Sequence, residues 1–156
     1  IGLSMQASQA KSLPFIHQVS TDTVNLPEFD AIIALRGESS NPLAYDREKL
    51  EPLQLAAYPK LKPIISQLDK EKAFAKALNV ASSLGWDVVA KNEQQGLIEA
   101  VDTSALWAFK DDIAIRVQAV GASSKIDLRS ISRIGGSDLG ANAARVEKFI
   151  TAFANK

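Results

Sequence analysis

Apolar side chains recur every three or four residues between residues 74 and 84, which is the spacing of one buried helix face. The side chains in this series are Phe74, Ala77, Leu78, Ala81 and Leu84. Asp69 stands where an N-cap would accept a hydrogen bond from the first turn. Gly85 occupies the position of a left-handed C-cap. The pattern therefore predicts a helix that begins after Asp69 and ends before Gly85.

After Gly85 the pattern changes to short segments rich in aliphatic residues, separated by polar loops at residues 92–96 and 121–123. The predicted strands are Trp86 to Lys91, Leu97 to Thr103, Ile113 to Val120 and Lys125 to Ile131. A second helix is predicted to begin near Ser137 or Asp138. Its apolar face comprises Leu139, Ala143, Val146, Phe149, Ile150 and Phe153. The order helix, four strands, helix favours an antiparallel meander with both helices on one side.

The first half of the chain has a different character, because all 6 prolines lie within residues 1–68. Each proline removes a backbone donor and fixes φ, so this segment is predicted to be extended, with one short helix from Arg47 to Ala57. We therefore expect an α+β fold, in which a four-stranded antiparallel sheet packs on two helices. Residues 1–68 form a proline-rich wrapping arm and residues 69–156 the core, within a single structural domain.

The last two predicted strands alternate cleanly enough to predict a register. A turn centred on Ala122 and Ser123 sets Arg116 directly opposite Arg129 on the polar face. The apolar face then pairs Val117 with Leu128 and Ala119 with Ile126. Like charges directly opposite each other repel, so an acidic group must compensate. The candidates are Asp127, Glu99 and Asp102.

Composition narrows the classes of function. The 156 residues carry 18 basic and 18 acidic side chains, so the formal net charge is zero and a nucleic-acid partner is not expected. The absence of cysteine excludes disulfides, thiolate metal sites and a cysteine nucleophile. No apolar stretch approaches the ~20 residues that span a bilayer, and the first residues lack the features of a secretion signal. A chain that begins with Ile1 is expected to be a processed product or a fragment.

A specific order of charged residues, serines and glycines begins near Trp107. It runs through Phe109-Lys110-Asp111-Asp112, Arg116, Asp127-Leu128-Arg129-Ser130-Ile131-Ser132-Arg133 and Gly135-Gly136-Ser137-Asp138-Leu139-Gly140-Ala141-Asn142. This order resembles the domain of unknown function 1499 family, in which Arg-Ser-x-Ser-Arg precedes Gly-x-Ser-Asp-x-Gly-x-Asn. The likeness extends to Gly85-Trp86, Ile98-Glu99-Ala100, Ile16-His17, Ser20-Thr21-Asp22, Arg36, Asn41, Tyr45 and Tyr58-Pro59. The pair His17-Gln18 departs from it, since an acidic residue is expected after the histidine.

The resemblance implies more about the cellular location of the protein than about its activity, because the family has no generally assigned reaction. Similar proteins often carry membrane-spanning helices ahead of this domain. An extracytoplasmic location, periplasmic or tethered to a membrane, is therefore expected, with a membrane anchor or a membrane protein as partner. A cytoplasmic location is the alternative.

The candidate ligand site is the group of polar residues around the glycine loop, which is Gly135-Gly136-Ser137. Its members are Arg116, Arg129, Arg133, Ser137, Asp138, Asn142 and Arg145, with Trp107 as a candidate wall of a pocket. A guanidinium group can donate two parallel hydrogen bonds to a carboxylate or a phosphate, and a helix N-terminus favours anions. The interleaved acidic residues Asp111 and Asp112 favour the other interpretation, in which ion pairs lock the loop to the sheet.

His17 is the only histidine, five residues before Asp22. Together they are the candidates for general acid–base chemistry. The alternative is that His17 anchors its segment by hydrogen bonds. One histidine without spaced partners is a poor case for a metal site, so neither a metal nor another cofactor is expected.

The function predicted from the sequence is a non-catalytic binding or accessory domain for a small anionic or lipid-like ligand. Two alternatives stay open. One is a hydrolase or isomerase that uses His17 and Asp22, with the arginines as an oxyanion clamp. The other is a protein–protein interaction module, which predicts a contiguous exposed apolar patch. The residues do not decide whether the protein is an enzyme.

Overall fold

The computed structural model describes residues 13–105 and 108–155. Its strands are β1 (Gln18–Ser20), β2 (Ile64–Ser66), β3 (Asp87–Asn92), β4 (Leu97–Thr103), β5 (Lys110–Val120) and β6 (Ser123–Ser132). The α-helices are α1 (Arg47–Ala57), α2 (Lys70–Ser83) and α3 (Ala141–Asn155), and a 3-10 helix spans Ala31–Leu35. The architecture is α+β with an antiparallel sheet, as the sequence predicted.

The expectation of four strands is wrong in number, because the sheet has six strands within the described ranges. The three α-helices there are the short one and the two longer ones that the sequence predicted. The strand order is β1-β6-β5-β4-β3, and β2 also pairs with β6. Both additional strands are three residues long, which is too short for an alternating pattern to be visible in the sequence. The division into an arm and a core at residue 68 stays a prediction.

The two faces of the sheet carry separate cores. Helices α2 and α3 cover one face, where Trp86 stacks on Phe149 with ring centroids 5.6 Å apart. The opposite face has a smaller cluster in which Phe29 and Ile32 pack on β4, β5 and β6. Glu99 on that face accepts hydrogen bonds from the backbone of residues 30–32, which holds the 3-10 helix against the sheet.

The sequence predicted the first two α-helices correctly. Helix α1 spans the predicted residues, and Asp69 caps α2 by accepting a 2.8 Å hydrogen bond from the backbone of Lys72. Gly85 follows α2 with φ +83°, in the left-handed region. The last helix begins at Ala141, later than predicted, and Leu139 lies before it with 76% of its surface exposed instead of on the buried face.

The predicted hairpin register between β5 and β6 is wrong by two residues. Val120 pairs with Ser123 across a two-residue turn, so Arg116 lies opposite Asp127. Arg129 lies opposite Ala114, and Leu128 opposite Ile115. Because a shift of two residues preserves the alternation of a strand, Arg116 and Arg129 still lie on the same face. The tighter turn removes the expected repulsion and places a carboxylate beside Arg116.

None of the helices within the described ranges is both long enough and apolar enough to cross a membrane.

Candidate functional site

The sheet divides the polar cluster that the sequence predicted. Arg116 and Arg129 project from the face of β5 and β6 that carries Phe29, and Arg133 binds Asp112 on the same face. Asn142 and Arg145 lie on α3 and contact Ser130 on the opposite face. The seven predicted residues in the described part of the chain therefore form several sites instead of one. Trp107, the predicted pocket wall, lies outside the described residues.

Arg133 belongs to a buried ion-pair group. Its Nε and Nη2 donate to Asp112 Oδ1 at 3.0 and 2.9 Å, and the Asp112 side chain is fully buried. Arg36 Nη1 donates to the other carboxylate oxygen, and its Nη2 donates to the carbonyl of Asn41. Asp112 thus joins two arginines from different segments, which supports the ion-pair interpretation for Arg133.

Arg145 is similarly matched by protein carboxylates. Its Nε donates to Asp102 Oδ2 and its Nη2 contacts Asp111 Oδ2, each at 2.7 Å. Burial raises the pKa of Asp111, although Arg145 opposes this by stabilising the charged form. Arg145 lines a cavity of about 350 Å³ beside Trp86, but its charge has two carboxylate partners already.

Asn142 connects the last helix to the sheet and to the N-terminal segment. Its amide nitrogen donates to the carbonyl of His17, to Ser132 Oγ and to Asp138 Oδ2 at 2.8–3.1 Å. Its amide oxygen accepts from Ser130 Oγ at 2.6 Å and from Arg145 Nη1 at 3.0 Å. The side chain is fully buried and both of its polar atoms have partners, which supports a structural interpretation of Asn142.

The loop before α3 is closed by its own side chains. Asp138 Oδ1 accepts a 2.8 Å hydrogen bond from the backbone of Gly140, and Ser137 Oγ accepts one from the backbone of Leu139 at 3.3 Å. The Asp138 carboxylate therefore occupies the position at the start of α3 that the helix dipole would offer an external anion. These contacts support the interpretation in which Ser137 and Asp138 close the loop and cap the helix.

The structure does not bring His17 and Asp22 together, because they flank β1 at its two ends. The carbonyl of His17 accepts from Asn142 near the glycine loop. Burial lowers the pKa of His17, although the charge of Asp138 opposes this effect. Its Nε2 atom is buried and has no hydrogen-bond partner in the part of the chain that the structure describes.

Asp22 instead binds Arg116. Its Oδ2 accepts from Arg116 Nη2 at 3.0 Å, and its Oδ1 accepts from the backbone of Val24 and Asn25. Burial alone would raise the pKa of Asp22, but the two backbone donors and Arg116 together hold it below its usual range.

A cavity of about 530 Å³ lies next to Arg116 and Arg129, within the range of roughly 300–1,000 Å³ that is common for small-molecule sites. Its polar lining comprises Asn25, Glu28, Tyr45, Gln95, Arg116 and Arg129. Its apolar lining comprises Val24, Leu26, Leu43 and Leu97. The cavity is formed where the loop after β1 and the segment before α1 cross the face of the sheet that carries Phe29.

Arg129 is a buried cation without a carboxylate partner among the described residues. Only 6% of its surface is exposed, and its Nε and Nη2 donate to Gln18 Oε1 at 3.1 and 2.9 Å. The remaining contacts are with the carbonyls of Pro27 and Leu43, and its guanidinium lies over the ring of Phe29. Burial lowers the pKa of Arg129 to about 10, which leaves the group charged at neutral pH.

Two further donors in the lining have no hydrogen-bond partner within residues 13–105 and 108–155. They are the buried atoms Tyr45 Oη and Arg116 Nε, although Arg116 Nη2 binds Asp22 and Asp127. Burial raises the pKa of Tyr45 to about 12, so its hydroxyl stays protonated and able to donate. Tyr45 and Gln18 were not among the predicted site residues. The only signal for them was their place in the motif resemblance, since neither has a spacing that indicates a site.

The comparisons with known proteins bear on the family and not on the ligand. No curated protein matches the chain. One solved structure that the chain does match, described as the crystal structure of Ara h 8.0201, is 10% identical and has a TM-score of 0.35. That match covers 61% of this chain and 96% of the other, and a TM-score this low does not establish a shared fold. A family model described as "Protein of unknown function (DUF1499)" matches residues 18–153. The chain therefore belongs to the DUF1499 family.

Proposed function

We propose that this protein is a non-catalytic binding or accessory domain whose ligand is a small anion held in the cavity beside Arg129. One observation carries the proposal: a buried guanidinium lines a cavity of ligand size, and its hydrogen-bond partners among the described residues are all neutral. The other arginines of the predicted cluster differ in this respect. Arg116, Arg133 and Arg145 each bind a carboxylate of the protein.

A buried charge with only neutral partners is costly, because the loss of hydration is incompletely offset. Neutral hydrogen bonds from Gln18 and two carbonyls orient Arg129 but do not neutralise it. An anion in the cavity would supply the missing charge at a group that is already held in place. The preorganised position lowers the entropy lost on binding.

The unpartnered hydroxyl of Tyr45 supports the same site. A buried donor without an acceptor costs about 1–3 kcal/mol, and an anion in the cavity would accept its hydrogen bond. Arg116 Nε offers a second free donor in the same lining. Two unsatisfied donors and one unneutralised cation thus border a single cavity.

Tyr45→Phe tests this proposal with little disturbance of the fold. Isothermal titration with acetate and with inorganic phosphate should show binding to the unmodified protein and about tenfold weaker binding to the variant, since a hydrogen bond to a charged group contributes roughly 1.5–3 kcal/mol. The thermal stability of the variant should not fall, because the removed hydroxyl has no partner.

Tyr58→Phe is the matched control. Tyr58 also has a buried, unpartnered hydroxyl, but it does not line the cavity. Its variant should bind anions as the unmodified protein does. Absence of binding by every anion, or equal weakening by both variants, would reject the proposed function.

The alternatives have less support. His17 and Asp22 are held at opposite ends of β1, so the hydrolase or isomerase lacks its assembled acid–base pair. Exposed apolar side chains do lie near the glycine loop, among them Phe15 and Leu139, but nothing in the structure shows what covers them. The interaction module, the extracytoplasmic location and the membrane partner stay predictions.

A further inference from the structure

We propose that the ligand of this cavity is a monoanion with a short aliphatic body, such as a medium-chain carboxylate, an inference that rests on the proposed anion site. The proposal follows from two properties of the lining. Arg129 is a buried cation of the lining whose hydrogen-bond partners among the described residues are all neutral, and the uncharged walls are largely aliphatic.

Arg116 is matched by nearby carboxylates of the protein. Arg116 contacts Asp22 at 3.0 Å and Asp127 at 3.3 Å, and Lys125 lies 3.9 Å from Asp127. Two cations and two carboxylates therefore balance each other at this end of the cavity. Arg129 is the remaining cation of the lining.

Glu28 is the one carboxylate in the cavity lining among the described residues. Its negative charge would repel a dianion more strongly than a monoanion, because the repulsion scales with the product of the charges. Arg129 and the exposed Glu28 carry opposite charges, so the two together leave no excess positive charge to hold the second charge of the phosphate dianion. A monoanion bound directly to the Arg129 guanidinium is therefore favoured over a dianion.

The rest of the ligand must match the apolar lining. Leu26, Leu43 and Leu97 are each partly exposed around the cavity, and Val24 is 59% exposed. An inorganic ion would leave these side chains in water, whereas an alkyl chain would cover them. Burial of each methylene in such a lining strengthens binding by about fourfold.

The polar end of the ligand would bind at Arg129 and Tyr45. Arg129 is immobilised by Gln18 and by the ring of Phe29, and Tyr45 supplies a neutral donor in the same lining. A planar carboxylate suits the fork of a guanidinium, which donates in parallel to two oxygens. The head group would therefore contact Arg129 and Tyr45, with the alkyl chain against the leucines.

The test is a titration of the full chain with acetate, butanoate, hexanoate and octanoate, compared with hexanol and inorganic phosphate. Affinity should rise about fourfold per methylene until the cavity is filled. Hexanol, which has the apolar body but no charge, should bind at least tenfold more weakly than hexanoate. Tyr45→Phe should weaken all carboxylates by the same factor.

Leu26→Ser separates the tail from the head group. This variant should reduce the affinity for octanoate and leave that for acetate unchanged. Leu55→Ser, at an exposed leucine on α1 outside the cavity, is the matched control and should change neither. Binding of acetate or phosphate without any gain from chain length would overturn this inference and leave the anion site standing. Failure of every anion to bind would reject both.

Discussion

Gln18 Oε1 accepts two hydrogen bonds from the guanidinium of Arg129, at 3.1 and 2.9 Å, so the side chain closest to this buried cation is neutral. Gln18 also stands where the motif resemblance led us to expect an acidic residue after the histidine. An acidic residue here would stand directly against Arg129 and neutralise it. The identity of residue 18 therefore decides whether the cavity carries an unmatched positive charge.

Gln18→Glu should weaken acetate binding by about tenfold, equivalent to about 1.4 kcal/mol, because the new carboxylate competes with the ligand for Arg129. The variant loses a hydrogen bond from Gln18 Nε2 to the carbonyl of Ala44, which partly offsets the new ion pair. Isothermal titration and thermal unfolding measure the two effects.

Gln54→Glu is the control for this substitution. Gln54 is equally buried and binds both the backbone N–H and the carbonyl of Ser20, and its side chain has no hydrogen bond from a cation among the described residues. Its replacement should destabilise the protein by several kcal/mol, clearly more than Gln18→Glu, since the new charge has no partner. Equal losses of stability would show that Arg129 does not stabilise a carboxylate at residue 18.

The pH dependence of stability should include a contribution from His17. Because burial holds its folded pKa below the ordinary value of 6.5, the unfolded chain takes up the proton first as the pH falls. The free energy of unfolding should therefore decrease between about pH 7 and pH 5, and the contribution is fully present only above the unfolded pKa.

A proton NMR titration of the single histidine checks the first part directly, with an expected midpoint below 6.5. Denaturant unfolding of His17→Gln at both pH values checks the second, because this variant should lose the decrease assigned to the imidazole. A midpoint at or above the ordinary value would contradict the burial argument.

Asp112→Asn should destabilise the protein by about 3–5 kcal/mol, because it leaves Arg36 and Arg133 without their shared buried carboxylate. Asp102→Asn is the comparison, since Asp102 is 29% exposed and its partner Arg145 keeps a second carboxylate. It should cost less than about 1 kcal/mol. Urea unfolding of the two variants measures the difference, and similar losses would show that burial of Asp112 does not matter.

Gly96→Ala should destabilise the hairpin that β4 forms with β5 strongly. A Cβ at this position would lie 2.1 Å from the carbonyl oxygen of Val117, and φ is +71°. Strain and overpacking together predict a loss of about 3–5 kcal/mol.

Gly121→Ala isolates the contribution of φ alone, because Gly121 has φ +60° and no atom lies within 4 Å of the place that an added methyl group would take. It should cost about 1–2 kcal/mol. Chemical denaturation of both variants gives the comparison, and an equal loss would reject the close approach to Val117 as the cause.

Local patterns in the sequence were sufficient for much of the fold. Helix α2, its Asp69 cap and the faces of the strands were predictable, because each depends on a repeat within one segment. These repeats are the helical spacing from Phe74 to Leu84 and the alternation in β5. The same reasoning failed for β1 and β2, because three residues carry no period. It also failed for the register of β5 against β6, because a turn of two residues and a longer turn preserve the same alternation.

The sequence by itself determined the family motif, the α+β class and the presence of arginines on one face of a hairpin. Only the tertiary structure decided which arginines are neutralised, because Asp112, Asp22 and Gln18 reach their partners from segments distant in the chain. Charge compensation depends on distances of a few ångströms between side chains, and sequence spacing does not encode those distances across a folded sheet.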